Sequence, residues 1–245
     1  MYNRDYLTDK TNSYSNESSQ QAYIMSFLKA TYQLFAGSLL AATAGAYIGL
    51  GIVNYIAGPM MWVLFAIELG LIFFVIPRVK HTPGVNLAVL FAFTFITGLT
   101  IAPLLTSIFA MPGGASIVGQ AFLMTSIAFG GISMFAMTTK KDFSFMGKFL
   151  FIALIIMIVA GISNIFIQSS MMQLVIASVG ALLFSAFILY DTQNIIKGNY
   201  DSPVEAALSL YLDFFNLFIS LLQIPGITKH NEQYIGFTPY IYSTI

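Results

Sequence analysis

Residues 85–109 read VNLAVLFAFTFITGLTIAPLLTSIF, a run with no charged side chain. A helix that crosses a bilayer needs about 20 mostly apolar residues, and this run exceeds that length. Six more runs of the same kind flank it. They cover about Ala30–Val53, Pro59–Ile76, Ser116–Met137, Gly147–Ile167, Met172–Tyr190 and Val204–Ile224. The breaks carry turn chemistry: Asn54 and Gly58, then Pro77 with Pro83-Gly84, then Pro112-Gly113-Gly114. Gln168-Ser169-Ser170, Lys140-Lys141-Asp142 and Lys197-Gly198-Asn199 mark the others. Runs that are hydrophobic on every side cannot all be shielded inside a soluble chain of 245 residues. The predicted fold is therefore an all-α integral membrane protein with seven transmembrane helices. Short loops make sequential helices antiparallel neighbours.

Composition agrees. The hydrophobic fraction is 58% and the charged fraction 8%, against about a quarter charged in soluble domains. Ten basic and ten acidic residues cancel, so no basic surface is offered and nucleic acid is not an expected partner. The absence of cysteine excludes disulfides, thiolate metal sites and cysteine nucleophiles. His81 and His230 lie far apart in polar stretches, which argues against a histidine metal site. Residues 1–27 are mostly polar and read as a disordered cytoplasmic tail. Residues 28–227 form the seven-helix domain, and 228–245 form an extramembrane tail.

Charge placement sets the orientation. With the N-terminus in the cytoplasm, Arg4, Lys10, Lys29, Arg78, Lys80, Lys140, Lys141, Lys148 and Lys197 all fall inside, and only Lys229 falls outside. The three external loops before the last helix carry no charge. This is the positive-inside pattern, and the short loops point to a bacterial cytoplasmic membrane.

Three acidic residues interrupt the apolar runs: Glu68 in FAIELGLIFF, Asp191 in AFILYDTQN and Asp213 in LSLYLDFFNLF. Carboxylates within a membrane are costly and face the protein interior or water. Glu68 reads either as a polar anchor for a neighbouring helix or as a functional intramembrane acid. Asp191 alone reads equally as an interfacial helix-end residue. Asp213 lies about 14 Å into its helix at 1.5 Å per residue. Counted from the turn between the last two helices, Asp191 and Asp213 come to similar depth, so adjacent helices can bring them together. Ser209, Asp213, Asn216, Ser220 and Gln223 share one face of the last helix. That stripe is either helix–helix glue or the lining of a polar path. Thr94, Thr97 and Thr100 make a weaker stripe that could face it.

Two carboxyls a few ångströms apart cannot both ionise easily and titrate as one unit. A shared proton would hold the helices together. Its loss would force them to separate, admit water or take up a cation. Calcium prefers six to eight oxygen ligands. Asp191 and Asp213, with Asn216 and water, would therefore hold it only weakly, which suits permeation. No cofactor is expected, and calcium enters as a permeant ion.

At these residues the chain resembles the Bax inhibitor-1 (TMBIM) family. The carriers are FSAFILYDTQNII at 184–196 and ALSLYLDFFNLFISLL at 207–222. FAFTFITGLTIAPLL at 91–105, KKDFSF at 140–145 and GISNIF at 161–166 support them. The resemblance spans about residues 25–227. It implies a seven-helix fold with a central last helix, a pH-sensitive calcium leak without enzymatic chemistry, and a paired-aspartate pH sensor at Asp191 and Asp213. It also implies a basic latch at the cytoplasmic end of the second span, for which Arg78 and Lys80 are the candidates. Gapless counting favours Lys80, and one gap that aligns Glu68 favours Arg78. Partners are then the lipid bilayer, calcium ions and protons. A second role would be regulation of other membrane proteins, such as proteases or cell-death factors. Intramembrane aspartyl proteases also pair two aspartates on their sixth and seventh helices, and Tyr190-Asp191 matches half of that pattern. The other half needs glycines where Leu210 and Leu212 stand.

Overall fold

The computed structural model describes the backbone of residues 5–237 and the side chains of residues 20–225. The helices are α1 (Asp5–Gly51), α2 (Val53–Ile56), α3 (Pro59–Gly70), α4 (Ile76–Val79), α5 (Val85–Phe109), α6 (Gly114–Thr138), α7 (Met146–Ile167), α8 (Ser170–Ile196) and α9 (Pro203–Phe237). A π-helical turn, Leu71–Val75, joins α3 to α4 without a break. Seven segments are long and apolar enough to cross a membrane: Gln20–Gly51, Pro59–Val79, Val85–Phe109, Gly114–Thr138, Met146–Ile167, Ser170–Ile196 and Pro203–Pro225. The predicted runs lie in these segments, with ends that differ by a few residues except at the N-terminus.

Two boundaries differ from the sequence reading. Helix α1 begins at Asp5, within the segment whose polarity predicts disorder. That segment contains no proline or glycine, and extending an existing helix is far easier than nucleating one. Helix α8 continues to Ile196, so Asp191 sits inside a helix and not at its end. The predicted tail at 228–245 lies outside the described side chains.

Among the described residues, α9 packs on α1, α5, α6 and α8, and its span is half buried, the largest share of the seven. It is the axis of the bundle. Phe214 lies beside Phe35 of α1 and Phe129 of α6, with ring centroids 5.7 and 5.6 Å away. Leu210, Tyr211 and Leu217 are almost fully buried beside it. The spans Pro59–Val79 and Met146–Ile167 bury only 6% of their residues. Their exposed Phe73, Phe74, Phe149 and Phe151 fit a lipid surround, where apolar side chains need no protein cover.

Helices α1 and α5 make the closest crossing. A Cβ on Gly98 would lie 2.0 Å from the Ala42 carbonyl oxygen, and one on Gly45 would lie 2.0 Å from that of Phe95. Small residues let backbones meet where lipid supplies no hydrophobic drive for association. Turn geometry follows the breaks: Gly113 starts α6 at φ 74° and Gly198 follows α8 at φ 72°, values that favour glycine.

Candidate functional site

Asp191 on α8 and Asp213 on α9 are brought together at the α8–α9 seam, where their carboxyls adjoin. They are 8% and 5% exposed. Asp213 Oδ2 is buried with no hydrogen-bond partner, which is costly for a carboxyl oxygen. Asn194 and Tyr200 flank Asp191. Tyr200 lies in the α8–α9 turn and also adjoins Ser209. Burial, reinforced by the Asp191 carboxyl, pushes the Tyr200 phenol up, so it stays protonated and can donate toward the pair.

The rest of the polar stripe follows the same seam. Ser220 is buried against Gly180 of α8. Asn216 turns its amide back to donate to the Leu212 carbonyl at 2.7 Å. Gln223 lines a pocket of about 440 Å³ with Gly161, Asn164, Ile165, Gln168, Gln173 and Ile176. The threonines of α5 lie elsewhere. Thr100 donates to Glu68 Oε1 at 2.8 Å, and Thr97 hydrogen-bonds the Tyr211 hydroxyl of α9. Glu68 is 9% exposed. It belongs to this second polar cluster and not to the aspartate pair. Among the described residues there is no group of three or more His, Asp or Glu that could hold a metal ion.

The latch candidates do not reach the pair in this structure. Lys80 pairs with Asp201 in the α8–α9 turn, with Glu205 adding attraction. The Arg78 guanidinium is exposed and donates to the Phe74 carbonyl one turn earlier. The basic end of the second span is thus tied to the turn that carries Tyr200. The sequence reading sought its partner within the apolar runs, whereas the partner is a loop aspartate.

The Lys80–Asp201 pair makes a pH prediction. The Lys80 ammonium holds the Asp201 carboxyl below its usual range, and Asp201 holds Lys80 above its own. A depressed carboxylate contributes when ionised, and that contribution is lost as pH falls through its depressed value. Protection of the amides in the turn 198–202, taken relative to their intrinsic exchange rates, should therefore fall in acid. Asp201→Asn should give the same low protection already at neutral pH, with the unfolding midpoint nearly unchanged, because exposed pairs add little to global stability. Equal exchange in wild type and Asp201→Asn at neutral pH would show that the tie holds nothing.

Sequence reasoning also missed Tyr200, Tyr211 and Gln193. Gln193 accepts from the Phe143 amide at 2.9 Å and donates to the Lys141 carbonyl at 2.8 Å. Lys197 pairs with Asp142 and reaches Ser144 Oγ at 2.7 Å. Together they bind the loop 139–145 to α8. The available signal was the family motif itself, since Gln193 and Tyr211 each stand two residues from an aspartate of the pair.

Comparison with known proteins identifies the family. The family model described as "Inhibitor of apoptosis-promoting Bax1" matches residues 24–230. An uncharacterized protein of Campylobacter jejuni is 51% identical over 227 residues, 91% of this chain and 96% of that protein. Protein lifeguard 4 of Mus musculus is 36% identical over 229 residues, covering 91% of this chain and 94% of that protein. The Golgi anti-apoptotic protein of Vaccinia virus is 35% identical over 230 residues, with the same two shares. A match of this extent, on a bundle of seven apolar helices around a central last one, makes the chain a member of the Bax inhibitor-1 family of membrane proteins.

Proposed function

We propose that the protein is a pH-sensitive calcium leak channel of a bacterial cytoplasmic membrane, with Asp191 and Asp213 as its proton sensor and gate. The observation that carries this reading is the buried carboxyl pair with an unpartnered oxygen on Asp213. A proton shared between the two carboxyls holds α8 against α9. Two negative charges in so dry a place would be strongly repulsive. Loss of the proton therefore favours helix separation, entry of water and passage of a cation. Two carboxylates with few other oxygens bind calcium too weakly to trap it. The basic end of the second span acts on this gate through Asp201 and the turn. If Arg78→Ala and Lys80→Ala both leave flux at neutral pH unchanged, that part of the reading fails. The test of the whole is calcium flux into liposomes holding the purified protein, measured from acid to slightly alkaline pH. A flux indistinguishable from empty liposomes at every pH would overturn it.

The viral relative's name, Golgi anti-apoptotic protein, supports a second reading, in which the protein acts as a membrane regulator through partners such as cell-death factors. Co-purification of a partner that survives loss of both aspartates would support it.

In this reading the N-terminus is cytoplasmic, because nine of the ten basic residues then lie inside. The chain has no native cysteine, so single substitutions report topology cleanly. Ser116→Cys and Ser170→Cys should react with an impermeant thiol reagent applied to intact cells, and Ser144→Cys should not. Labelling at position 144 from outside would invert the assignment.

A further inference from the structure

The pocket lined by Gln223 lies at the opposite end of the bundle from the loop 139–145. It opens where α7 ends and α8 begins, and its polar lining is unlike that of a lipid-facing surface. Asn164, Gln168, Gln173 and Gln223 supply four carboxamides from α7, the connecting turn, α8 and α9. Their arrangement is fixed by the turn. Gln168 adopts the left-handed conformation at φ 54°, rare for a residue other than glycine. Its amide donates to the Asn164 carbonyl at 2.8 Å, and Asn164 Oδ1 accepts from the Ser169 amide at 3.1 Å.

One helical turn below Gln223 on the same face stands Ser220, and Asn216 and Asp213 continue that face inward. Ser220 is buried and seated on Gly180. A methyl group at Gly180 would lie 2.7 Å from Ser220 Oγ and 3.3 Å from Met157 Sδ. The three side-chain positions belong to α7, α8 and α9, the same helices that form the pocket.

Resting on the leak reading above, we propose that this pocket is the outer vestibule of the path. It receives a hydrated divalent cation on its neutral carboxamides, and its floor is closed by Ser220 against Gly180. Carboxamide oxygens are calcium ligands. With no net charge, four of them hold a hydrated ion loosely enough for it to move on. The floor is narrow because only a hydrogen stands where any other residue would place a carbon. The ten residues from Gln223 to Asp213 span about 15 Å, which separates the vestibule from the pH sensor.

The test is calcium flux into liposomes, with each variant first shown to be monodisperse in detergent. The variants are Gln173→Leu with Gln223→Leu, Gly180→Ala, and Gly180→Ala with Ser220→Gly. The paired glutamine change should lower flux several-fold at every pH and leave the shape of the pH profile intact, since the aspartates are untouched. Gly180→Ala should also lower flux several-fold, and adding Ser220→Gly should restore it by making room for the new methyl group. If wild type leaks with its pH response while the paired glutamine variant conducts equally well, the vestibule assignment is overturned and the leak reading stands. Failure of Ser220→Gly to restore flux in folded protein overturns the floor. Absence of flux in wild type overturns the leak reading and this inference with it. Should Gly180→Ala prove unable to fold, the glutamine pair still decides the vestibule.

Discussion

Asp213→Asn is expected to remove most of the pH response of calcium flux, and Asp191→Asn is expected to do the same. The carboxyls adjoin in a buried seam, so each owes its sensitivity to the other. Removing either charge abolishes the like-charge coupling. The double substitution should then add little, because effects within one unit are not additive. Independent sites would behave otherwise, with each single variant keeping about half the response and the double losing the sum. Asparagine preserves size and hydrogen bonding, so expression and monodispersity should survive. Asp213 already carries an unpartnered oxygen, and an amide there costs less than a buried charge. Flux at several pH values for wild type, both singles and the double separates the cases. A full wild-type response in Asp213→Asn would sink the mechanism, because the other acidic residue described on α9, Glu205, lies in its first turn.

Gly98→Leu is expected to prevent assembly of the bundle. A first side-chain carbon at this position already falls 2.0 Å from the Ala42 carbonyl oxygen. The obstacle is backbone, which no rotamer change can move aside. Helices α1 and α5 would have to separate along their whole crossing, losing contacts on both sides. Overpacking a tight interior costs about 1–3 kcal/mol where side chains can yield, and the cost here should exceed that. The readout is loss of the monodisperse peak in detergent together with a lowered thermal midpoint. Gly130→Ala and Gly131→Ala on exposed stretches of α6 are the controls. A Cβ there meets nothing within 4 Å, and alanine is the better helix former by about 1 kcal/mol. They should be neutral or stabilising. If Gly98→Leu assembles as well as the controls, the close crossing does not organise the bundle.

Spans and their order were legible because an uncharged apolar run has one stable solution in lipid. The aspartate pair was legible because depth can be counted along two helices joined by a short turn. The azimuth of a side chain around its helix axis is another matter. Thr94, Thr97 and Thr100 form a visible stripe, yet periodicity alone left open whether they face Asp213 or Tyr211. Lys80 had the right depth and charge, but its partner Asp201 sits in a polar turn where one aspartate looks like any other. Tyr200 was hidden for the same reason. Nothing in GNYDS marks the tyrosine as folding back beneath Asp191. Glu68 shows the limit from the other side. Its burial follows from the cost of an intramembrane carboxylate, but nothing in periodicity marks Thr100 as its partner.

The π-helical turn at Leu71–Val75 sets which basic residue of the second span meets the α8–α9 turn. There the Ile76 amide bonds the Leu71 carbonyl five residues back, so the turn accommodates one residue more than an α-helix would. Such a turn is a phase shifter. Each residue of an α-helix advances about 100° around the axis, and one surplus residue rotates everything beyond it by that angle. Upstream of the turn, Glu68 keeps its face toward Thr100. Downstream, the rotation brings Lys80 to Asp201 and leaves Arg78 facing outward. In an uninterrupted α-helix of this sequence Val79 would take the angle that Lys80 now holds, so the tie to the α8–α9 turn depends on that single surplus residue.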